Sequence, residues 1–138
     1  MEKTIFQKII DKELPASIVY EDNSTIAFLD INPNNKGHTL VIPKTPYKNI
    51  YELKKEDCGS FMETISKMSR AVKKAVDADG VNVVINNDES AGQVVFHLHA
   101  HIIPRFKNDG VFNPSKHTKY ADEKEQEEIT EKIKNSVE

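Results

Sequence analysis

Apolar residues in this chain change period several times, and each change predicts a new element. Ile5, Phe6, Ile9 and Ile10 recur at helical spacing and predict a short helix over residues 5–12. Residues 17–20 and 25–30 read as strands, separated by the turn Glu21-Asp22-Asn23-Ser24. Asn32-Pro33-Asn34-Asn35-Lys36-Gly37 is a turn-rich loop, and residues 38–43 form a third strand. Phe61, Ile65, Met68, Val72 and Val76 predict the longest helix, over residues 56–78, with Gly80 just past its end. Residues 81–86 and 94–103 read as two further strands, the second ending before Pro104-Arg105. The chain then turns polar, with Asn108-Asp109-Gly110 and Asn113-Pro114 as loop signals. Residues 121–137 predict a charged helix docked by the narrow stripe Ile129, Ile133 and Val137, with Glu128 and Lys132 as a favourable i,i+4 pair. Strands, a long helix, then more strands indicate an α+β fold with a mainly antiparallel sheet. The length fits a single domain over residues 1–138, with a core at about 4–106 and an extension at about 107–138.

The chemistry concentrates in Phe96-His97-Leu98-His99-Ala100-His101-Ile102-Ile103. Along a strand, residues i, i+2 and i+4 share a face, about 6.6–6.8 Å apart. Three imidazoles therefore project one way while Leu98, Ala100 and Ile102 face the other. Such an array is a poor way to build a core, because each neutral ring brings one donor and one acceptor that need partners. Two functional readings compete with three half-buried, backbone-satisfied histidines. One is a metal site, which requires a further ligand of His, Cys or carboxylate type. The other is a histidine nucleophile whose neighbours fix its tautomer and handle protons. Ala91-Gly92-Gln93-Val94-Val95, immediately upstream, favours the second, since a glycine turn with successive N–H groups can form an anion-binding concavity.

Composition narrows the partners. The net charge is −3 with 30% charged residues, so no basic face points to a nucleic acid polymer. The single cysteine, Cys58, leaves no internal disulfide and suits a reducing, cytoplasmic compartment. No apolar run approaches the ~20 residues of a membrane span, and with no basic region or long apolar stretch visible at Met1-Glu2-Lys3-Thr4 a secretory signal is not expected.

His97-Leu98-His99-Ala100-His101-Ile102-Ile103 resembles the His-φ-His-φ-His-φ-φ signature of the histidine triad family, φ being apolar. Phe28-Leu29-Asp30-Ile31-Asn32-Pro33, Gly37-His38-Thr39-Leu40-Val41-Ile42-Pro43-Lys44 and Thr4-Ile5-Phe6-Gln7-Lys8-Ile9-Ile10 resemble further segments of that family. The resemblance implies a five-stranded sheet with a short N-terminal helix and a long helix, paired into a homodimer through the sheet edge and the long helix. It implies a nucleotide hydrolase or transferase, acting at the α-phosphate of a phosphoramidate, dinucleoside polyphosphate or related conjugate. By the same resemblance His99 is the nucleophile, passing through a nucleotidyl-histidine. His97 and His38 are linked by hydrogen bonds behind it, and His101 contacts the phosphate or leaving group. Gly92, Gln93, Val94 and Val95 would cradle phosphate oxygens, with Asn86 near the phosphate or ribose. Asp30 would take the ribose hydroxyls, and Ile5, Phe6, Ile9, Phe28 and Ile31 would line a slot for a purine-type base. No cofactor is implied.

Two departures from the family pattern stand out. Where many members carry two cysteines and a histidine that complete a zinc site with the first triad histidine, this chain has Thr4, Gln7 and Pro46, so no metal is expected. Where many carry a hydroxyl residue after the glutamine, this chain has Val94. His117 is expected to be an exposed surface histidine. A nucleotide-binding sensor or adaptor with little turnover is the competing function, and a metal-binding module is a second competitor.

Overall fold

The computed structural model describes residues 2–111 and 118–135. Helix α1 (Ile5–Ile10) opens at Thr4, whose hydroxyl accepts the Gln7 N–H at 3.0 Å, satisfying one of the free donors of the first turn. Strands β1 (Ile18–Glu21) and β2 (Thr25–Leu29) form a hairpin. Its turn is closed by one carboxylate oxygen of Asp22, which accepts the N–H groups of Ser24 and Thr25 at 2.8 Å each. Strand β3 (Thr39–Pro43), helix α2 (Lys55–Ala75), strand β4 (Gly80–Val84), strand β5 (Ala100–Arg105) and helix α3 (Glu123–Asn135) follow.

All strand pairs are antiparallel, and the spatial order is β1-β2-β3-β5-β4. This is the expected α+β architecture with a five-stranded sheet. One face of the sheet packs on α2: Phe61, Ile65, Met68 and Val72 meet Ala27, Val41, Leu98, Ala100 and Ile102. The other face carries Phe6 and Ile9 of α1 against Ile26, Phe28, Leu40 and Ile42. A two-layer core of this kind covers both faces where the triad enters the sheet. No described helix is long and apolar enough to cross a membrane.

Several boundaries differ from the sequence expectation. Helix α2 stops at Ala75 rather than 78, because Asp77 takes a left-handed φ of 52° and the Ala78 N–H returns to the Lys73 carbonyl at 3.0 Å. Gly80 therefore opens β4 instead of closing the helix. The expected strand over 94–103 is regular only over Ala100–Arg105, so it starts later and runs through Pro104. A proline is tolerated inside this sheet because β3 pairs with β5 only as far as Ile102, so the β3 ladder has ended before the position where Pro104 lacks an N–H. Helix α3 has no buried residue; Ile133 is 63% exposed, so the expected docking of its apolar stripe is not made within one chain. His117 and Val137 lie outside the described residues.

Candidate active site

Only His101 lies within β5; His97 and His99 sit in the irregular segment leading into it. The alternation nevertheless holds. Leu98, Ala100 and Ile102 enter the α2-side core. His99 meets Phe6 of α1 edge-on at 4.9 Å between ring centroids, and His101 at the same centroid distance. The segment is pinned outside the ladder by the Leu98 N–H, which donates to the Tyr47 carbonyl at 2.7 Å.

Each ring has a partner that fixes its tautomer. His99 Nδ1 lies 2.7 Å from the His97 carbonyl oxygen. A carbonyl only accepts, so a neutral His99 carries its proton on Nδ1 and leaves the Nε2 lone pair available. His97 Nε2 lies 2.8 Å from the Pro43 carbonyl and must donate there. His38 Nδ1 accepts the Asn34 N–H at 3.0 Å, which places the His38 proton on Nε2. That nitrogen is 2.9 Å from His101 Nδ1. His38 therefore donates to His101, whose own proton is left on Nε2. Burial pushes all four imidazoles below their ordinary 6.5, so the neutral forms on which this chain of donors depends prevail at neutral pH.

The expected link between His97 and His38 is not made; His38 pairs with His101. The antiparallel register is the reason. Val41 pairs with Ala100 and Thr39 with Ile102, so the chain before Ala100 runs toward Pro43 while His101 lies near the start of β3. His38, just before β3, and His97, bonded to Pro43 at its other end, are thus separated by the length of β3.

Asp30 follows β2 and faces this pair. Its Oδ1 accepts the Asn32 N–H at 2.8 Å, and its Oδ2 lies 3.5 Å from His38 Nε2 and 3.9 Å from His101 Nδ1. The ligand atoms of Asp30, His38 and His101 fall within 4.8 Å of one another, close enough to suggest a metal. Coordination through His38 Nε2 would move its proton to Nδ1, where it would confront the Asn34 N–H. The trio is built for holding a proton better than for holding a cation.

Upstream, the turn at residues 88–93 is held from inside. Asp88 has φ 74°, and its carbonyl accepts the N–H groups of Ala91 and Gln93 at 3.1 and 3.0 Å. Gly92, at φ 92°, donates to the Glu89 carbonyl at 2.9 Å. The buried Gln93 side chain accepts the Asp88 N–H at 2.8 Å and donates to the carbonyls of Lys48 and Val95 at 2.7 and 3.1 Å. The backbone donors of Gly92 and Gln93 are thus already engaged. Among the described residues, no hydrogen bond uses the N–H of Val94 or Val95. Glycine is favoured there by its φ rather than by lack of space, since a Cβ would stand at an ordinary 3.6 Å from Asn86 Nδ2. Asn86 lies two residues beyond the end of β4, not within it.

The expected base-slot residues divide into two groups. Phe6, Ile9 and Phe28 are buried in the core, whereas Ile5 is 58% and Ile31 91% exposed. Val94 is 86% exposed. Thr4 and Gln7 serve α1 as cap and as donor to Asp11 at 3.1 Å. Sequence patterns gave no warning of Asn34, Asn35 or Asp109, which act through backbone groups or at long separation; a turn-rich composition was their only signal.

Comparison with known proteins agrees with this geometry. The HIT domain model matches residues 11–108. An uncharacterised HIT-like protein of Methanocaldococcus jannaschii is 50% identical over 106 residues, covering 77% of this chain and 81% of its own. The adenylylsulfatase HINT3 of Arabidopsis thaliana is 40% identical over 105 residues, 76% of this chain and 53% of that protein. The crystal structure of a HIT family member from Bacillus subtilis matches with a TM-score of 0.89 at 39% identity over 99% of both chains. A histidine triad nucleotide-binding protein from Candida albicans matches with a TM-score of 0.83 at 28% identity over 96% of both. With its histidine triad leading into an antiparallel sheet and these relatives across most of its length, this chain belongs to the HIT family.

Proposed function

We propose that this protein is a nucleotide hydrolase or transferase that cleaves at the α-phosphate through a nucleotidyl-His99 intermediate. The observation that carries the reading is the 2.7 Å contact of His99 Nδ1 with the His97 carbonyl, which leaves a neutral ring with a free Nε2 lone pair. In the first step His99 Nε2 bonds to the α-phosphorus and the bond to the leaving group breaks. His101, with its proton on Nε2, donates that proton to the departing atom. Water then attacks the phosphorus, His101 takes back a proton, and the nucleoside monophosphate leaves as His99 regains its lone pair. The N–H groups of Val94 and Val95 supply donors for the phosphate oxygens, the kind of pre-placed contact whose loss typically costs about 2.7–4 kcal/mol.

Asp30 is assigned to the ribose, since a carboxylate has lone pairs left after accepting from Asn32. The exposed Ile5 and Ile31 would cover one side of a purine-type base. Leaving groups of the polyphosphate, amine and sulfate classes all fit this scheme, the last being the chemistry named for the Arabidopsis relative. A homodimer through the β4 edge and α2 agrees with the exposure of Val83 (46%) and Met62 (59%). The cysteine usage suits the cytoplasm. The competing reading, a sensor or adaptor with slow turnover, is favoured by Val94 standing where a hydroxyl donor is usual in this family.

The test is a panel of AMP-phosphoramidate, diadenosine polyphosphate, ADP-linked sugar and adenylylsulfate, scored by release of AMP. Alkaline quench of the wild type during turnover should leave one nucleotide mass on the peptide containing His99. His99→Ala should abolish both signals while nucleotide binding persists. Binding without turnover on every substrate would assign the chain to the sensor class. An alanine variant within tenfold of the wild-type rate would remove His99 as the nucleophile.

A further inference from the structure

The His38 tautomer is set at Nδ1 by one backbone donor, the Asn34 N–H, in the turn at residues 34–38. Its His38 end is held by the Asp30 N–H, which donates to the His38 carbonyl at 2.9 Å, and by the Thr39 hydroxyl, which donates to the Gly37 carbonyl at 2.8 Å; two further contacts act on Asn35. The His38 N–H donates to the Asn35 carbonyl at 3.0 Å, closing the turn on itself. The Asn35 side chain reaches across to the far end of β5, where its Nδ2 donates to the Pro104 carbonyl at 2.9 Å and to Asp109 Oδ2 at 3.1 Å.

Asp109 is itself tightly anchored. Arg105 grips it with two contacts, Nε to Oδ2 at 2.8 Å and Nη2 to Oδ1 at 2.6 Å. The N–H groups of Phe106 and Val111 donate to it at 2.9 and 3.1 Å. Counting the Asn35 amide, five donors converge on one carboxylate whose side chain is only 8% exposed. A bidentate arginine–carboxylate pair of this kind fixes orientation as well as charge.

We propose that Asp109 and Asn35 are positioning residues for proton donation by His101. The Arg105–Asp109 pair holds the Asn35 amide, the amide holds the turn, and the turn aims the Asn34 N–H at His38 Nδ1. His38 is thereby kept as the Nε2–H tautomer and donates to His101 Nδ1, which leaves the His101 proton on Nε2, facing away from His38. Asp30 Oδ2, 3.5 Å from His38 Nε2, favours the same tautomer. With the latch released, the Asn34 N–H drifts, His38 can place its proton on Nδ1, and His101 loses the donor that sets its own tautomer. The proposal rests on the proton-donor role given to His101 above, but its first readout does not depend on turnover.

The experiment uses full-length protein with 15N-labelled histidine, in wild type, Asp109→Asn and Asn35→Ala. Long-range 1H–15N correlation spectra near pH 8 report which ring nitrogen carries the proton. Wild type should show Nε2–H for His38 and His101, and Nδ1–H for His99. Both variants should move His38 and His101 to mixed tautomers while His97 and His99 keep theirs. Positioned proton transfer typically supplies 10²–10⁴-fold in rate. The variants should lose a part of it, about tenfold, on an amine leaving group that must be protonated. On a leaving group that departs unaided, such as a p-nitrophenolate, the loss should be under about twofold. Asn35→Ala leaves the Arg105–Asp109 pair intact, so it remains informative where Asp109→Asn folds poorly. Unchanged His38 and His101 tautomers in a folded variant would overturn the proposal, as would Nδ1–H on His101 in wild type. Shifted tautomers with no turnover in any form would uphold the latch and refute the hydrolase reading instead.

Discussion

His99 Nδ1 and the carbonyl oxygen of His97 are 2.7 Å apart, although the two residues are separated by only one position in the chain. The segment can fold back on itself in this way because it lies outside the regular ladder of β5. A strand geometry through residue 97 would commit that carbonyl to a neighbouring strand or to solvent.

The neutral state of the rings carries a pH signature. His38, His97, His99 and His101 are all held below 6.5, chiefly by burial. In the unfolded chain they bind protons near 6.5, so as pH falls through and below that value the unfolded state gains protons first. Their stabilising contribution is therefore complete above 6.5 and is lost as pH falls toward the folded values. Asp22, at about 2 in the folded state against an ordinary 3.8, adds a second loss at lower pH. The urea midpoint should be level between about pH 7 and 8 and decline below about 6.5. His97→Gln, which keeps a donor for the Pro43 carbonyl, should flatten that decline; an identical slope in the variant would show that His97 titrates normally.

Gly37 should tolerate no side chain. Its φ is 99°, and a Cβ there would stand 2.9 Å from Val76 Cγ1 at the end of α2. Strained left-handed backbone alone typically costs about 1–3 kcal/mol. Gly37→Ala should lower stability by about that amount or more in urea titrations. Combining it with Val76→Ala should recover the steric part and leave the backbone part. Strict additivity of the two losses would mean that the contact carries no energy.

Removing the Asp30 carboxylate should separate sugar recognition from loop packing. A hydrogen bond to a charged group is worth about 1.5–3 kcal/mol, which corresponds to about ten- to a hundredfold in affinity. Asp30→Ala should weaken ribonucleotides by that factor and 2′,3′-dideoxy analogues far less. Asp30→Asn, which keeps an acceptor for the Asn32 N–H at 2.8 Å, should hold the loop and still lose ribose preference. Equal weakening of both ligands, measured by calorimetry, would confine Asp30 to the turn and the histidine pair.

Val94 is 86% exposed, so changing it should leave stability untouched while changing the site. Val94→Ser would supply a hydroxyl beside the N–H groups proposed above to hold phosphate. It should raise kcat/KM on a phosphoramidate by the worth of one neutral hydrogen bond, about 0.5–1.5 kcal/mol. A dinucleoside polyphosphate, whose leaving group departs with less help, should change little. An unchanged ratio between the two substrates in wild type and variant would refute a leaving-group role for this position.

Features that neighbouring residues decide were legible in the chain. Period-two alternation put His97, His99 and His101 opposite Leu98, Ala100 and Ile102, and for His99 and His101 that side selection held even where strand regularity did not. The helical spacing of Phe61, Ile65, Met68 and Val72 located the core face of α2. The element order indicated the antiparallel sheet that is observed. Tertiary structure alone decided which ring meets which partner. The register of β3 on β5 is set by the whole sheet and core, and it sends His97 to Pro43 and gives His38 to His101. The donors that fix the tautomers are backbone N–H and C=O groups, which every residue but proline carries in full and no side-chain pattern can mark. The clamp on the His38 turn joins Asn35 to Asp109 across 74 positions, a separation at which local periodicity holds no information and only the folded packing brings donor to acceptor.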